Sequence, residues 1–257
     1  MRHPIPFVPP AQVAGRIQRR IMRPPYVNPH IGILGPTRSG KDFAWRNMIL
    51  GMAKPSARAI ALDIKQGHDR FDCNVPGCAG LGDQSLCGWG IDVGPGADLE
   101  ALPEHLGAHR YRVLVPPGDA GRAAVEDVLA YADTVCELVL VMSDAGRITE
   151  PSHRNGYALG GRVTRLVSER ASRSLSVVAC STSAAWAESG IKDQMAAMLI
   201  GQANNAKMRA VFAELAGLPK YGRAALDSLK PRQFLYADHA DGEPVLAITQ
   251  AELVPGA

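Results

Sequence analysis

Gly35-Pro-Thr-Arg-Ser-Gly-Lys41-Asp42 places two glycines with four residues between them and a lysine directly after the second. That spacing suits phosphate chemistry. Glycine backbone lets N–H groups converge on phosphate oxygens, a helix N-terminus behind the loop adds partial positive charge, and the lysine reaches the terminal phosphates. The candidate phosphate-binding set is Gly35, Pro36, Thr37, Arg38, Ser39, Gly40, Lys41, Asp42 and Phe43. One position departs from the pattern. A hydroxyl normally follows the lysine, where it binds magnesium, and here the residue is Asp42.

Such a loop needs a strand in front and a helix behind. Ile31-Gly-Ile-Leu34 reads as a short buried strand, and Phe43 to Leu50 has helical periodicity. A second acid-bearing edge is expected farther on. Glu137-Leu-Val-Leu-Val-Met142 is the strongest buried strand in the chain and delivers Ser143-Asp144 to its end, the form of a Walker B element whose acid binds magnesium or polarises the attacking water. Arg58 to Lys65, Tyr111 to Val115 and Leu175 to Cys180 read as further strands. Residues 121–136, 160–173, 191–200 and 203–216 read as helices, and 146–157 as a loop. Gln233 to Tyr236 and Pro244 to Ile248 form a closing hairpin around Asp241-Gly242. Strands alternating with helices predict an α/β fold with a mostly parallel central sheet flanked by helices.

The 257 residues, 46% hydrophobic and 21% charged, suffice for one sizeable core. The net charge of +3 is too small to argue for nucleic acid, but its distribution is uneven. Residues 1–30 hold five arginines, seven prolines and no acid, and read as a basic arm that touches phosphates or a neighbouring subunit, or as a solvated tail. The main domain is expected over 31–250, with a short tail at 251–257. No apolar run approaches the roughly 20 residues of a bilayer-spanning helix, and the N-terminus lacks a signal-peptide core, so a cytoplasmic location is expected. Residues 66–98 form a glycine-rich insert carrying His68, Cys73, Cys78 and Cys87. These four offer donors for tetrahedral zinc, Zn2+, although gaps of four and eight residues between the cysteines are wider than in usual zinc knuckles. The alternative is buried free thiols.

The order of these parts resembles the FtsK/HerA superfamily of DNA-pumping P-loop ATPases. The resemblance rests on Gly35 to Asp42, on Leu62-Asp63-Ile64-Lys65, on Val139 to Arg147, and on Glu169-Arg170-Ala-Ser-Arg173 leading into Ser176 to Ser181. It spans roughly residues 30–250 and implies a RecA-like P-loop NTPase fold, ATP with Mg2+ as cofactors, a homo-hexameric ring, and double-stranded or single-stranded DNA in its channel. In the family an arginine precedes a strand ending in Ala-Thr-Gln. Arg170 falls at the arginine and Ser181 at the glutamine, so Arg170 or Arg173 is the expected finger toward a neighbouring subunit's nucleotide. The catalytic set implied is Lys41, Asp144, Arg170, Arg173 and Ser181, with magnesium held through Asp42, Ser143 and Asp144. Arg147, His153 and Arg154 are the candidate DNA contacts.

The departures concern one function. The family's Walker B ends in Asp-Glu, and Ser143-Asp144 stands there instead. Asp42 and Ser143 thus read as a hydroxyl and an acid with their places exchanged. The opposite reading is decay to an ATP-binding but hydrolysis-deficient assembly or DNA-binding scaffold. A motor is the function expected, acting in the cytoplasm or, for a virus, the host cytoplasm. Plainer structural alternatives stand beside these roles: Asp144 as a helix N-cap, Asp63 as the close of a strand, and the arginines at 162, 165, 170 and 173 as a solvated helix face.

Overall fold

A computed structural model gives the fold. It describes residues 5–21, 30–36, 39–45, 58–64, 91–102, 104, 109–149, 156–170, 174–182, 191–203, 205–239 and 244–250. The strands are β1 (Ile31–Leu34), β2 (Arg58–Asp63), β3 (Ile91–Val93), β4 (Arg110–Leu114), β5 (Leu138–Met142), β6 (Ser176–Ser181), β7 (Ala197–Gly201), β8 (Gln233–Asp238) and β9 (Val245–Gln250). They form a single nine-stranded sheet in the order β3-β4-β2-β5-β6-β1-β7-β8-β9. The first seven in that order are mutually parallel. β8 runs antiparallel to β7 and pairs antiparallel with β9, the expected closing hairpin. The mostly parallel α/β sheet read from the sequence is the sheet found.

Parallel strands need crossovers, and the helices that make them cover both faces. They are α1 (Pro10–Ile21), α2 (Lys41–Phe43), α3 (Asp119–Thr134), α4 (Ala145–Thr149), α5 (Gly160–Arg170), α6 (Ala206–Leu215) and α7 (Lys220–Ser228). β5 shows why its run is continuously apolar. Leu138, Leu140 and Met142 belong to one core with Val125 and Leu129 of α3 and Val163 and Val167 of α5. Val139 and Val141 belong to the other, with Val13, Ala14 and Ile17 of α1 and with Trp45. Each such buried branched chain contributes roughly 1.5–3 kcal/mol of hydrophobic free energy.

His30 pins the start of β1. Val177 N–H of β6 donates to its Nδ1 at 3.1 Å, and its Nε2 donates to the Val167 carbonyl of α5 at 3.1 Å. Those partners require the neutral tautomer with the proton on Nε2. Burial pushes its pKa down to about 4, against a smaller upward pull from the Val167 bond.

Several expectations are corrected. Residues 191–200 are not a helix: Ile191–Gln194 is one 3-10 turn, and Ala197–Gly201 is the strand between β1 and β8. Ala, Met, Leu and Ile fit either structure locally, and the slot between two strands decides. The stretch 146–157 is not all loop, because Ala145–Thr149 is helical. Within the basic arm, α1 docks its apolar side on the sheet. Ahead of it, Val8 N–H donates to the Ile248 carbonyl at 2.8 Å and Ile248 N–H to Pro6 at 2.9 Å, which ties residues 6–8 to β9. The insert's His68, Cys73, Cys78 and Cys87 lie outside the described residues. Among the described residues no cluster of His, Cys, Asp or Glu suits a metal, and no helix is long and apolar enough to cross a membrane.

Candidate nucleotide site

Because seven strands run the same way, their carboxyl ends emerge along one edge, where open α/β sheets bind ligands. The loop after β1 sits there, beside the end of β6. Leu34 is in register with Ser181, and Gly35 N–H donates to the Ser181 carbonyl at 3.1 Å. Ser39 N–H closes the loop on the Pro36 carbonyl at 3.2 Å. Both glycines are required. A Cβ on Gly35 would collide with the Ser39 hydroxyl, and Gly40 has φ +93°, in the left-handed region that favours glycine. Gly40 then caps α2, its carbonyl accepting from Ala44 N–H at 2.9 Å.

Lys41 is 3% exposed, and its Nζ donates to the carbonyls of Gly35 at 2.6 Å and Pro36 at 2.8 Å. The ammonium is thus folded into the cradle it heads. Ser39 Oγ is buried there without a hydrogen-bond partner among the described residues. A buried hydroxyl with no partner is costly, and an anion in the loop would give it one. This geometry fits a phosphate. Asp42 lies in the first helical turn, where a negative charge is favourable, and accepts from Trp45 Nε1 at 3.4 Å. Thr37 and Arg38 are outside the described residues, and for Phe43 only the backbone is described.

The acid-bearing edge lies across β6. Met142 is in register with Ala179 of β6, so Ser143 and Asp144 stand two strand spacings, roughly 10 Å, from the end of β1. Ser143 is 2% exposed and fastens β5 to β2. Its N–H donates to the Leu62 carbonyl at 3.2 Å, and its hydroxyl accepts from Ile64 N–H at 3.3 Å. Asp144 is half-buried, and its carbonyl opens α4 by accepting from Arg147 N–H at 3.2 Å and Ile148 N–H at 3.4 Å. Arg147 turns inward: Nη1 donates to the Ile64 carbonyl at 3.3 Å, while its buried Nε has no partner among the described residues. Asp63 closes β2 in a buried ion pair with Arg112 of β4 at 3.7 Å.

The structure therefore gathers Gly35, Pro36, Ser39, Gly40, Lys41, Asp42, Ser143, Asp144, Ser181 and Arg147 at one edge of the sheet. Arg170 ends α5, with only its backbone described, and Arg173, His153 and Arg154 lie outside the described residues. Two neighbours of the loop were not singled out from the sequence. Phe234 of β8 and Arg232 just before it would stand 3.7 and 3.9 Å from a Cβ on Gly40. Only strand pairing brings them there, and a proline followed by arginine in a turn was the sole local signal.

No family model matches the sequence, and no curated protein matches it. Solved structures do match. The DNA-packaging ATPase B204 of Sulfolobus Turreted Icosahedral Virus aligns with TM-score 0.61 at 12% identity, over 92% of this chain and 100% of B204. VirB4 of Thermoanaerobacter pseudethanolicus gives 0.58 at 12%, over 91% and 92%. The genome packaging NTPase B204 of Sulfolobus turreted icosahedral virus 2, in complex with ATP-gammaS, gives 0.57 at 10%, over 88% and 97%. These likenesses establish the fold. The chain has the fold of these ATPases, the P-loop fold expected from the sequence. In particular, it shares its architecture with a viral DNA-packaging ATPase along nearly its whole length.

Proposed function

We propose that the chain is an ATPase that drives DNA through a ring of its own copies, as a packaging or translocating motor. The observation that carries this reading is the Gly35–Lys41 cradle, with its inward-turned lysine and partnerless Ser39 hydroxyl, at the carboxyl edge of a sheet whose fold is shared with B204. ATP enters the cradle through its phosphates. Lys41 leaves the Gly35 and Pro36 carbonyls for the terminal phosphates, and Ser39 donates its orphaned hydroxyl. Asp42, Ser143 and Asp144 would hold magnesium, which would neutralise phosphate charge there. Asp144 orients the attacking water, and Ser181, beside the loop, responds to the terminal phosphate. Arg170 or Arg173 serves the neighbouring subunit's nucleotide in a homo-hexamer, and His153 and Arg154 face the DNA, joined by Arg147 once its guanidinium leaves the Ile64 carbonyl. The site of action is the cytoplasm, or the host's cytoplasm. Grip on DNA through phosphates makes translocation indifferent to sequence and sensitive to salt.

Steady-state ATP hydrolysis with and without duplex DNA tests this. DNA-stimulated turnover that Lys41→Ala abolishes is expected, and tight ATP binding without turnover would sink the motor. That outcome would favour the second reading, a scaffold that binds ATP without consuming it. One observation speaks for the scaffold: both residues of the exchanged pair are engaged elsewhere, Asp42 with Trp45 and Ser143 with Ile64. The exchange has its own test. Asp42→Ser combined with Ser143→Asp should restore turnover lost in each single variant, since an aspartate at 143 keeps an acceptor for Ile64 N–H. A pair no better than the singles refutes the exchange.

A further inference from the structure

We propose that Arg232 grips the α-phosphate and nucleoside end of the bound nucleotide; this rests on the reading of the Gly35–Lys41 loop as an ATP site. β8 is antiparallel to β7 with Phe234 opposite Gly201, so the turn that starts β8 is carried to the carboxyl edge beside the loop. In that turn the Lys230 carbonyl accepts from Gln233 N–H at 3.0 Å, and Lys230 N–H donates to Gln233 Oε1 at 2.9 Å. Pro231 holds the second place, and Arg232, at the third, has φ +64°. This is the pattern of a type II turn, which calls for glycine where Arg232 stands. A non-glycine residue held in the left-handed region is strained, and such strain concentrates at ligand clamps.

The position explains what the side chain is for. Arg232 Cγ would lie 3.9 Å from a Cβ on Gly40, so its stem starts over the glycine that precedes Lys41. The residue is exposed, and its guanidinium makes no hydrogen bond or ion pair with the described residues. The strand order assigns the two ends of the ligand. Asp144 and Ser181 flank β1 on the β6 side, where the reacting terminal phosphate must sit. β7 and β8 flank it on the other side and so face the α-phosphate and nucleoside. A guanidinium suits both, because its planar fork pairs with phosphate oxygens and stacks on a base.

The test is calorimetric titration of the full chain with ATP and, separately, with pyrophosphate, which has no counterpart of the α-phosphate, for the wild type, Arg232→Gly, Arg232→Lys and Lys41→Ala. Arg232→Gly, which suits the turn's backbone, should melt no lower than the wild type. It should weaken ATP about tenfold or more and leave pyrophosphate within about twofold. Arg232→Lys should fall close to the glycine variant, since it keeps the charge but loses the fork. ATP affinity unchanged in Arg232→Gly while Lys41→Ala loses it would overturn the role of Arg232 and leave the site standing. An equal loss of ATP and pyrophosphate would overturn its assignment to the α-phosphate and nucleoside end. A wild type that binds neither ligand would overturn the ATP site and this proposal with it.

Discussion

At the scale of single residues, Lys41 and His30 show buried cationic side chains used in opposite ways. Lys41 holds its ammonium on two backbone carbonyls inside the loop, a position that it leaves for phosphate oxygens on the proposed reading. Lys41→Met should therefore weaken ATP binding about a hundredfold by calorimetry while preserving the folded circular dichroism spectrum, because a charge-assisted contact to a phosphate is worth roughly 1.5–3 kcal/mol. His30 is instead kept neutral by burial, with a pKa of about 4 against an ordinary 6.5. Between those values the unfolded chain holds a proton that the folded chain excludes, so stability rises with pH. The contribution, roughly 3 kcal/mol, is complete above pH 6.5 and is lost as the pH falls toward 4. Urea midpoints should drop steeply from pH 7 to 4.5 in the wild type and more gently in His30→Gln.

At the scale of elements, the sheet edge depends on how strand ends are fastened. Asp63 of β2 and Arg112 of β4 are both buried, at 3.7 Å. Asp63→Ala leaves that guanidinium without its carboxylate and should cost about 3–5 kcal/mol in urea unfolding, most of it recovered in the double variant with Arg112→Met. On the same face, Ile17→Ala should cost about 2–5 kcal/mol, because Ile17 is fully buried where α1 meets the sheet. These elements differ in how far the sequence reveals them. β1, β2 and β5 were legible because an apolar run ending in a glycine or acid has few other uses. β7 was not, since Ala197-Met-Leu-Ile-Gly201 becomes a strand only through its neighbours on either side. α1 carries Val13, Ala14 and Ile17 at helical spacing, but its arginines and the prolines around it suggested an arm. The phosphate loop was legible because its function is local, whereas Arg232 reaches Gly40 only through long-range pairing of β8 with β7.

At the scale of the whole molecule, the sheet order brings the parts of the proposed nucleotide site to one edge. The Gly35–Lys41 loop, the Ser143–Asp144 acid edge and the start of α4 lie within three adjacent strands, β1, β6 and β5. Ser143 and Arg147 both bond the backbone of Ile64, so a shift at the acid edge is felt at the end of β2. Arg147 precedes His153 and Arg154, the other proposed DNA contacts, by six and seven residues. The claim at stake is that ATP turnover moves DNA, and displacement of a triplex-forming oligonucleotide from linear duplex DNA measures it most directly. The account predicts displacement that requires magnesium and ATP, is independent of duplex sequence and is absent in Lys41→Met. ATP consumed while the triplex stays in place would contradict it.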